Sequence, residues 1–240
     1  MICGNSLKEK QLTNQLRDGG SNPTLPLQYI VKEIPKEQTH EWLLKKHYAH
    51  RIPQIQYAFG LYKDNLLQGI CTFGYACRKI QDKYKPTAIF ELNRLVINDG
   101  IKNGATFFVS RIFKLFPIKP CYIVSYADSN QNHHGYIYQA LNGIFTGLSS
   151  AEKKVYINGK LQHRRTLNAL YGTSSTVELS KKFDVEIEEQ EGKFRYFFLL
   201  GTKHERKLLR KSINYPILPY PKGDNKRYNA SYNPPVQLAF

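Results

Sequence analysis

Ala88-Ile89-Phe90-Glu91-Leu92-Asn93-Arg94-Leu95-Val96-Ile97 runs into Asn98-Asp99-Gly100-Ile101-Lys102-Asn103-Gly104 and then into Ala105 to Phe116. The first ten residues are aliphatic and aromatic enough for a central strand. In the last segment Phe107, Phe108, Ile112, Leu115 and Phe116 recur at helical spacing, and Pro117 with Pro120 ends the helix. One arginine, Arg94, stands inside the apolar strand. A cation there must be paired or face a polar cleft, because burying it unpaired costs on the order of several kcal/mol. Glu91 is three residues away, and strict alternation puts it on the opposite face. Arg94 is therefore expected to point into a site and meet an anionic group, with an internal ion pair as the structural alternative.

Upstream, Leu27 to Ile34 reads as a strand, and Pro35 opens a helix to about His50. Ile55 to Tyr62 and Leu66 to Cys77 are apolar runs joined across Lys63-Asp64-Asn65, a hairpin that the Ala88 strand extends. Downstream come a buried strand from Cys121 to Asp128, a polar turn, and a helix from about His133 to Leu141. Strands are expected near Val155 to Ile157 and Phe194 to Leu200, a short helix near Arg164 to Leu170, and a basic helix from Lys203 to Ser212. Asp184 to Glu191 alternates with an acidic face, as a solvated edge strand does. The expected fold class is α/β (α+β): a mixed, mostly antiparallel central sheet flanked by helices. Residues 1–26 read as an arm and linker, 27–212 as the folded domain, and 213–240, rich in Pro, Tyr and Asn, as a basic tail outside the core.

Composition bounds the function. The chain has 240 residues, 17 Tyr and 13 Phe, which is ample material for a core and unlike a disordered chain. Its net charge of +16 favours a polyanionic partner, with nucleic acid foremost and a plain solubility charge as the alternative. No apolar window is long enough for a membrane helix, and the N-terminus lacks a signal-like pattern, so a soluble cytoplasmic protein is expected. Cys3, Cys71, Cys77 and Cys121 show no zinc spacing, and Cys71 and Cys77 read as packed on one strand face.

Among polar residues, His47 and His50 lie three apart at the end of the first helix, able to share a face while Tyr48 turns away. An imidazole there suits a general base or a metal ligand, and equally a helix C-terminus. Asp128 ends a buried strand where ligand-facing residues gather, though Asp is also a common turn or cap residue. His133 and His134 read as a wet helix start, or as metal or phosphate contacts. Basic residues cluster at Lys160 to Arg165 and at Lys203 to Lys211, suiting phosphate contacts or solvated faces.

In layout the chain resembles the GNAT acyltransferase family, whose glycine-containing loop before a helix takes the pyrophosphate of coenzyme A. Gly104-Ala105 resembles the end of that family's R/Q-x-x-G-x-G/A motif, without its leading residue and middle glycine in register. Four segments taken together, Lys46-His47-Tyr48-Ala49-His50-Arg51, Glu91-Leu92-Asn93-Arg94-Leu95, Ser125-Tyr126-Ala127-Asp128 and Gly135-Tyr136-Ile137-Tyr138-Gln139-Ala140, resemble the Mom family of DNA-modification proteins from Mu-like bacteriophages. The resemblance runs from about residue 27 to 212. It implies a GNAT-like catalytic domain that converts adenine in duplex DNA to an N6-methylcarbamoyl derivative and so shields phage DNA from restriction.

On that resemblance the catalytic residues are His47, Tyr48, Arg94, Asp128 and Tyr138, with Tyr138 protonating the leaving group and His47 or Asp128 assisting deprotonation. Ser125 and Ser110 are weaker candidates for hydrogen-bonding roles. Acetyl-CoA or a related acyl-CoA is expected against Ile97, Gly100, Lys102, Asn103, Gly104 and Ala105. DNA is expected against His50, Arg51, Arg164, Arg165, Lys207 and Arg210, with Tyr48 or Tyr57 stacking on an extruded base. A metal ion held by His47 is a further expectation. The competing readings are a conventional GNAT N-acyltransferase acting on a protein, small amine or aminoacyl-tRNA, and a DNA-binding module without catalysis.

Overall fold

The computed structural model describes residues 29–162 and 164–223. The expected arm at 1–26, His163 and the end of the tail lie outside the described residues. The main sheet is built from β1 (Tyr29–Glu33), β2 (Tyr57–Lys63), β3 (Leu66–Tyr75), β4 (Ala88–Ile97), β5 (Cys121–Ala127), β6 (Ile144–Leu148) and β10 (Phe194–Leu200), in the spatial order β1-β2-β3-β4-β5-β10-β6. Every neighbouring pair is antiparallel except β4 and β5. This is the mixed, mostly antiparallel sheet expected from the sequence.

Period-two alternation sends successive residues to opposite faces. On one face Phe73, Leu92, Ile123 and Phe198 share a core with Phe108 and Ile112 of α2 (Gly104–Leu115). Phe116 closes that helix by meeting Phe73 and Phe90 edge-on, at 5.1 and 5.3 Å between ring centroids. On the other face Ile89, Tyr122 and Phe197 pack with Ile80 and Tyr84 of α1 (Arg78–Tyr84) and Leu209 of α6 (Lys203–Lys211). Each large side chain so buried contributes about 1.5–3 kcal/mol.

Several elements depart from expectation. The helix expected from Pro35 to His50 is a 3-10 turn at Lys36–Thr39 and a π-helical turn at Trp42–Lys46. Burying Trp42 and Leu43 against Ala58, Ile70 and Val96 overrides helix propensity there, and His47 (φ −76°, ψ 133°) ends the turn in extended backbone. Helix α1 was not foreseen, because its seven residues bury only Ile80 and Tyr84. The helix expected from His133 shortens to α3 (Tyr136–Ala140), since left-handed Gly135 (φ +77°) precedes it. Cys71 is buried on β3, whereas Cys77 is exposed beyond the strand's end, so the two do not share a face.

Between β6 and β10 the chain leaves the sheet to form a small module of β7 (Glu152–Ile157), β8 (Lys160–Gln162), α4 (Arg164–Tyr171), α5 (Thr176–Leu179) and β9 (Val185–Gln190). Its sheet runs β8-β7-β9, with a core of Val155, Ile157, Leu167 and Leu179. Strand β9 is an edge, as expected, and its Glu189 and Glu188 pair with Lys153 and Lys154. The module is closed at its base by the Ser149 N–H donating to the Lys193 carbonyl (2.8 Å). Gly192 is required there, because a Cβ would stand 1.9 Å from the Ser149 carbonyl oxygen.

The tail expected outside the core begins instead as a docked strap. The Asn214 N–H donates to Tyr84 Oη (3.2 Å), Tyr215 lies 3.6 Å from the Arg195 guanidinium, and the Leu218 N–H donates to Phe145 (3.0 Å). Tyr136 Oη donates to the Gly223 carbonyl, tying the strap to α3. No described helix is long and apolar enough to cross a membrane.

Candidate active site

Strands β4 and β5 are paired from Ala88–Cys121 to Leu92–Ser125 and no further. At the last rung Ser125 Oγ donates to the Leu92 carbonyl (2.9 Å). Beyond it the strands part, and a cleft of about 1120 Å³ opens at their carboxyl ends. Such a gap beside parallel strands is where open sheets bind ligands.

On the other side of β4 the register against β3 slips by one residue between the Thr72–Arg94 and Phe73–Leu92 pairs, a β-bulge with Asn93 as the extra residue. Thr72 Oγ1 donates to Asn93 Oδ1 (2.6 Å), and Asn93 Nδ2 donates to the Gln54 carbonyl (2.9 Å). The bulge overturns the expected alternation. Glu91 and Arg94 face Gly74 and Thr72, two positions apart on β3, and so belong to the same side of the ladder.

Arg94 lines the cleft. Its Nη1 donates to the Asn93 carbonyl (2.6 Å), while its buried Nε has no hydrogen-bond partner. Burial lowers the pKa of the guanidinium, and Tyr48 and Glu91 oppose that.

His47 and Tyr48 reach the same cleft from the turn after Lys46. Tyr48 does not turn away. Its ring stacks on His47 (4.4 Å, 28°), and His133 meets it edge-on (6.1 Å). Burial pushes the His47 pKa down to about 3, helped by the charges of Arg94, His50 and His133, so the ring is neutral near pH 7. The Ala49 N–H donates to His47 Nδ1 (3.0 Å), which places the ring proton on Nε2. His50 is exposed, with its Nδ1 2.8 Å from the Leu44 carbonyl oxygen, so the two histidines do not share a helix face.

Asp128 follows β5 on the rim of the cleft, with Lys193 Nζ 3.9 Å from its carboxylate. Its carbonyl accepts from Gln131 and His133, so the residue also organises the turn, as the alternative reading had it. Tyr138 descends from α3, and its ring packs on Tyr196 and Phe198. Burial raises its phenol pKa, with the Ser125 hydroxyl countering, and the phenol keeps its proton.

The loop 98–104 and the start of α2 line the opposite wall. Asn103 is left-handed (φ +57°) and makes no side-chain cap bond; the Gly104 N–H donates to the Ile101 carbonyl (3.0 Å), and the next N–H groups of α2 have no side-chain cap. Gly104 is needed for packing, since a Cβ would meet Ile101 Cγ2 at 2.5 Å and Ile97 Cδ1 at 2.6 Å.

The structure therefore brings His47, Tyr48, Arg94, Asp128 and Tyr138 together with Ile97, Gly100, Lys102, Asn103, Gly104 and Ala105. It does not bring Lys207 or Arg210 there. They lie on α6, and Arg210 lines a separate hollow of about 400 Å³ beside Leu218 and Tyr220. Arg164 and Arg165 open α4 of the inserted module, and their side chains lie outside the described residues. Exposed Arg51 acts electrostatically on Arg94. Tyr57 is packed against Phe90 and Phe116 and does not line the cleft, nor does Ser110. Among the described residues no group of three or more His, Cys, Asp or Glu side chains is placed to hold a metal ion. The sequence reading missed Lys46, Asn93 and Asn98 as cleft residues and left His133 between a wet helix start and a metal or phosphate contact. Their positions beside His47, Arg94, Asp99 and the Asp128 turn were the available signal.

The model of the Mom protein family matches residues 28–222. The chain belongs to the Mom family. The matched span takes in every cleft residue named above, the inserted module and nearly all of the described strap, so these are parts of a Mom-family chain. No curated protein matches the sequence. Solved structures similar to this Mom-family chain include a GNAT-family acetyltransferase of Bacillus cereus (9% identity, TM-score 0.38, covering 72% of this chain and 99% of that one). A protein of Salmonella typhimurium solved with its cofactor acetyl-CoA gives 9%, 0.42, 72% and 95% in the same order. An N-acetyltransferase of Staphylococcus aureus gives 10%, 0.41, 72% and 99%.

Proposed function

We propose that this Mom-family protein is a transferase that modifies the N6 amine of adenine in double-stranded DNA to an N6-methylcarbamoyl-type derivative, protecting phage DNA from restriction in the host cytoplasm. The observation that carries the reading is the meeting of His47, Tyr48, Arg94, Asp128 and Tyr138, drawn from four separate segments, at the β4–β5 gap of such a chain. Adenine N6 is engaged in pairing within a duplex, so the base must be extruded into the cleft, where Tyr48 offers an aromatic face. The net charge of +16 supports attraction to the DNA backbone.

The residues at the α2 end suit a coenzyme A-type donor, because uncapped backbone N–H groups at a helix N-terminus accept anionic groups. When bound, an acyl-CoA would supply an activated acyl group and a thiolate leaving group; acetyl transfer alone gives an N6-acetyl amide, so a methylcarbamoyl-type product requires a nitrogen-bearing acyl group or a further nitrogen donor. Neutral His47 is a poor base with its proton on Nε2, so it acts as a hydrogen-bond donor. Asp128, a carboxylate on the rim of the cleft, is assigned as the acceptor of the amine proton. Tyr138 retains its proton and donates it to the leaving group, while Arg94 offers its free Nε–H to negative charge.

The test is mass spectrometry of nucleosides from plasmid DNA after expression. A modified deoxyadenosine present with wild-type protein and absent with Arg94→Ala supports the reading. Unmodified DNA fully exposed to folded wild-type protein and donor refutes it.

A further inference from the structure

We propose that Lys46 is the charged anchor of an anion subsite in the cleft and takes a phosphate group of the incoming ligand. Lys46 is 2% exposed and ends the π-helical turn immediately before His47. Its Nζ donates to Asn98 Oδ1 (3.2 Å), and Asn98 is held in turn by donating Nδ2 to Gln68 Oε1 (3.1 Å). A buried lysine normally has a carboxylate partner. Here one neutral amide satisfies one of three ammonium donors, and Lys46 makes no ion pair among the described residues. Exposed Asp99 acts on it only electrostatically, against the lowering of its pKa by burial.

Arg195, a second deeply buried cation among the described residues, shows what a completed structural site looks like. It is 8% exposed and donates Nε to Thr146 Oγ1 (2.9 Å) and Nη2 to the Thr146 carbonyl (2.8 Å), with Tyr215 over its plane. Lys46 has a single hydrogen bond, to Asn98, and a more distant ring, Trp42 at 5.9 Å from Nζ, and it lines the cleft together with Asn98, Lys102 and the start of α2. An ammonium and helix-start backbone N–H groups lining one cleft suit a tetrahedral oxyanion with several acceptor oxygens. The inference rests on the reading that a nucleotide-type donor and DNA meet in this cleft. Either brings a phosphate, as the donor's pyrophosphate or as the DNA phosphodiester.

The experiment uses the full chain and Lys46→Met, with calorimetric titration of coenzyme A, inorganic pyrophosphate and a short DNA duplex, and thermal melts of each. Loss of tenfold or more in affinity for coenzyme A and pyrophosphate, with duplex binding within twofold of wild type, identifies the donor phosphate. The same loss confined to duplex identifies the DNA phosphate. Lys46→Met should melt no lower than wild type without ligand, because it removes a desolvated charge, and should lose the stabilisation that pyrophosphate or duplex confers. Lys46→Arg, which keeps the charge, should retain part of the binding. Wild-type affinity for all three probes in Lys46→Met refutes the anchor while leaving the donor reading intact. A wild-type protein that binds none of them overturns both.

Discussion

The Tyr48 ring lies stacked on the His47 imidazole, 4.4 Å between centroids and 28° between planes. This contact helps remove a titratable ring from water at the mouth of a polar cleft, and with burial goes the strong preference for the neutral form.

Stability should therefore respond to acid through His47. The folded pKa of about 3 lies below the usual 6.5, so the unfolded chain binds the proton first as pH falls. The contribution is complete above pH 6.5 and is lost progressively towards pH 3, on the order of a few kcal/mol in total. Urea midpoints measured across that range should fall steeply for wild type and less steeply for His47→Gln. Identical acid limbs would show that the ring is not held neutral.

Arg94→Lys should lose activity by about 10²-fold while the protein stays folded, because a point charge does not reproduce the guanidinium Nε–H. Tyr138→Phe should lower turnover about 10-fold to 10²-fold with little change in DNA affinity, since only the phenolic proton is removed. Single-turnover assays on duplex DNA separate the two. Full turnover in Tyr138→Phe would reassign the acid.

Asn93→Ala should destabilise the chain by about 1–3 kcal/mol, because Thr72 Oγ1, in a side chain with 0% exposure, loses its acceptor. Thr72→Val with Asn93→Ala should cost less than the sum of the single changes, as expected of partners in one network. Additive costs in denaturant unfolding would mean that the pair does not hold the bulge.

Tyr215→Ala should cost about 1–2 kcal/mol, mainly through the exposed Arg195 plane and the loosened strap. Limited proteolysis should then cleave between Ser212 and Gly223 faster than in wild type. An unchanged cleavage rate would mean that the Arg195 contact does not retain the strap.

Much of the frame was legible in the residues themselves. The runs at Tyr57–Lys63, Leu66–Tyr75, Ala88–Ile97 and Cys121–Ala127 carry apolar side chains for both sheet faces, and the spacing of Phe108 and Ile112 declared α2. Arg94 stood out because a charge in such a strand needs a reason. Short elements were legible only in part: α1 has too few buried positions to leave a period, α3 was expected but with an earlier start, and the Trp42 turn follows its packing rather than its propensity.

Alternation and local spacing thus determined most of the strands, the α2 helix and the candidacy of Arg94, while the choice of His47, Asp128 and Tyr138 drew on the resemblance to the Mom family. Tertiary structure decided how they meet. The parting of β4 from β5 after Leu92 and the extra residue at Asn93 arise from hydrogen bonds to Ser125, Thr72 and Gln54, all distant in sequence. A one-residue slip between strands reverses the side on which later side chains emerge. For that reason the company Arg94 keeps, with Glu91 on its side of the ladder and Tyr48 near its charge, is set by strand pairing and not by the local sequence.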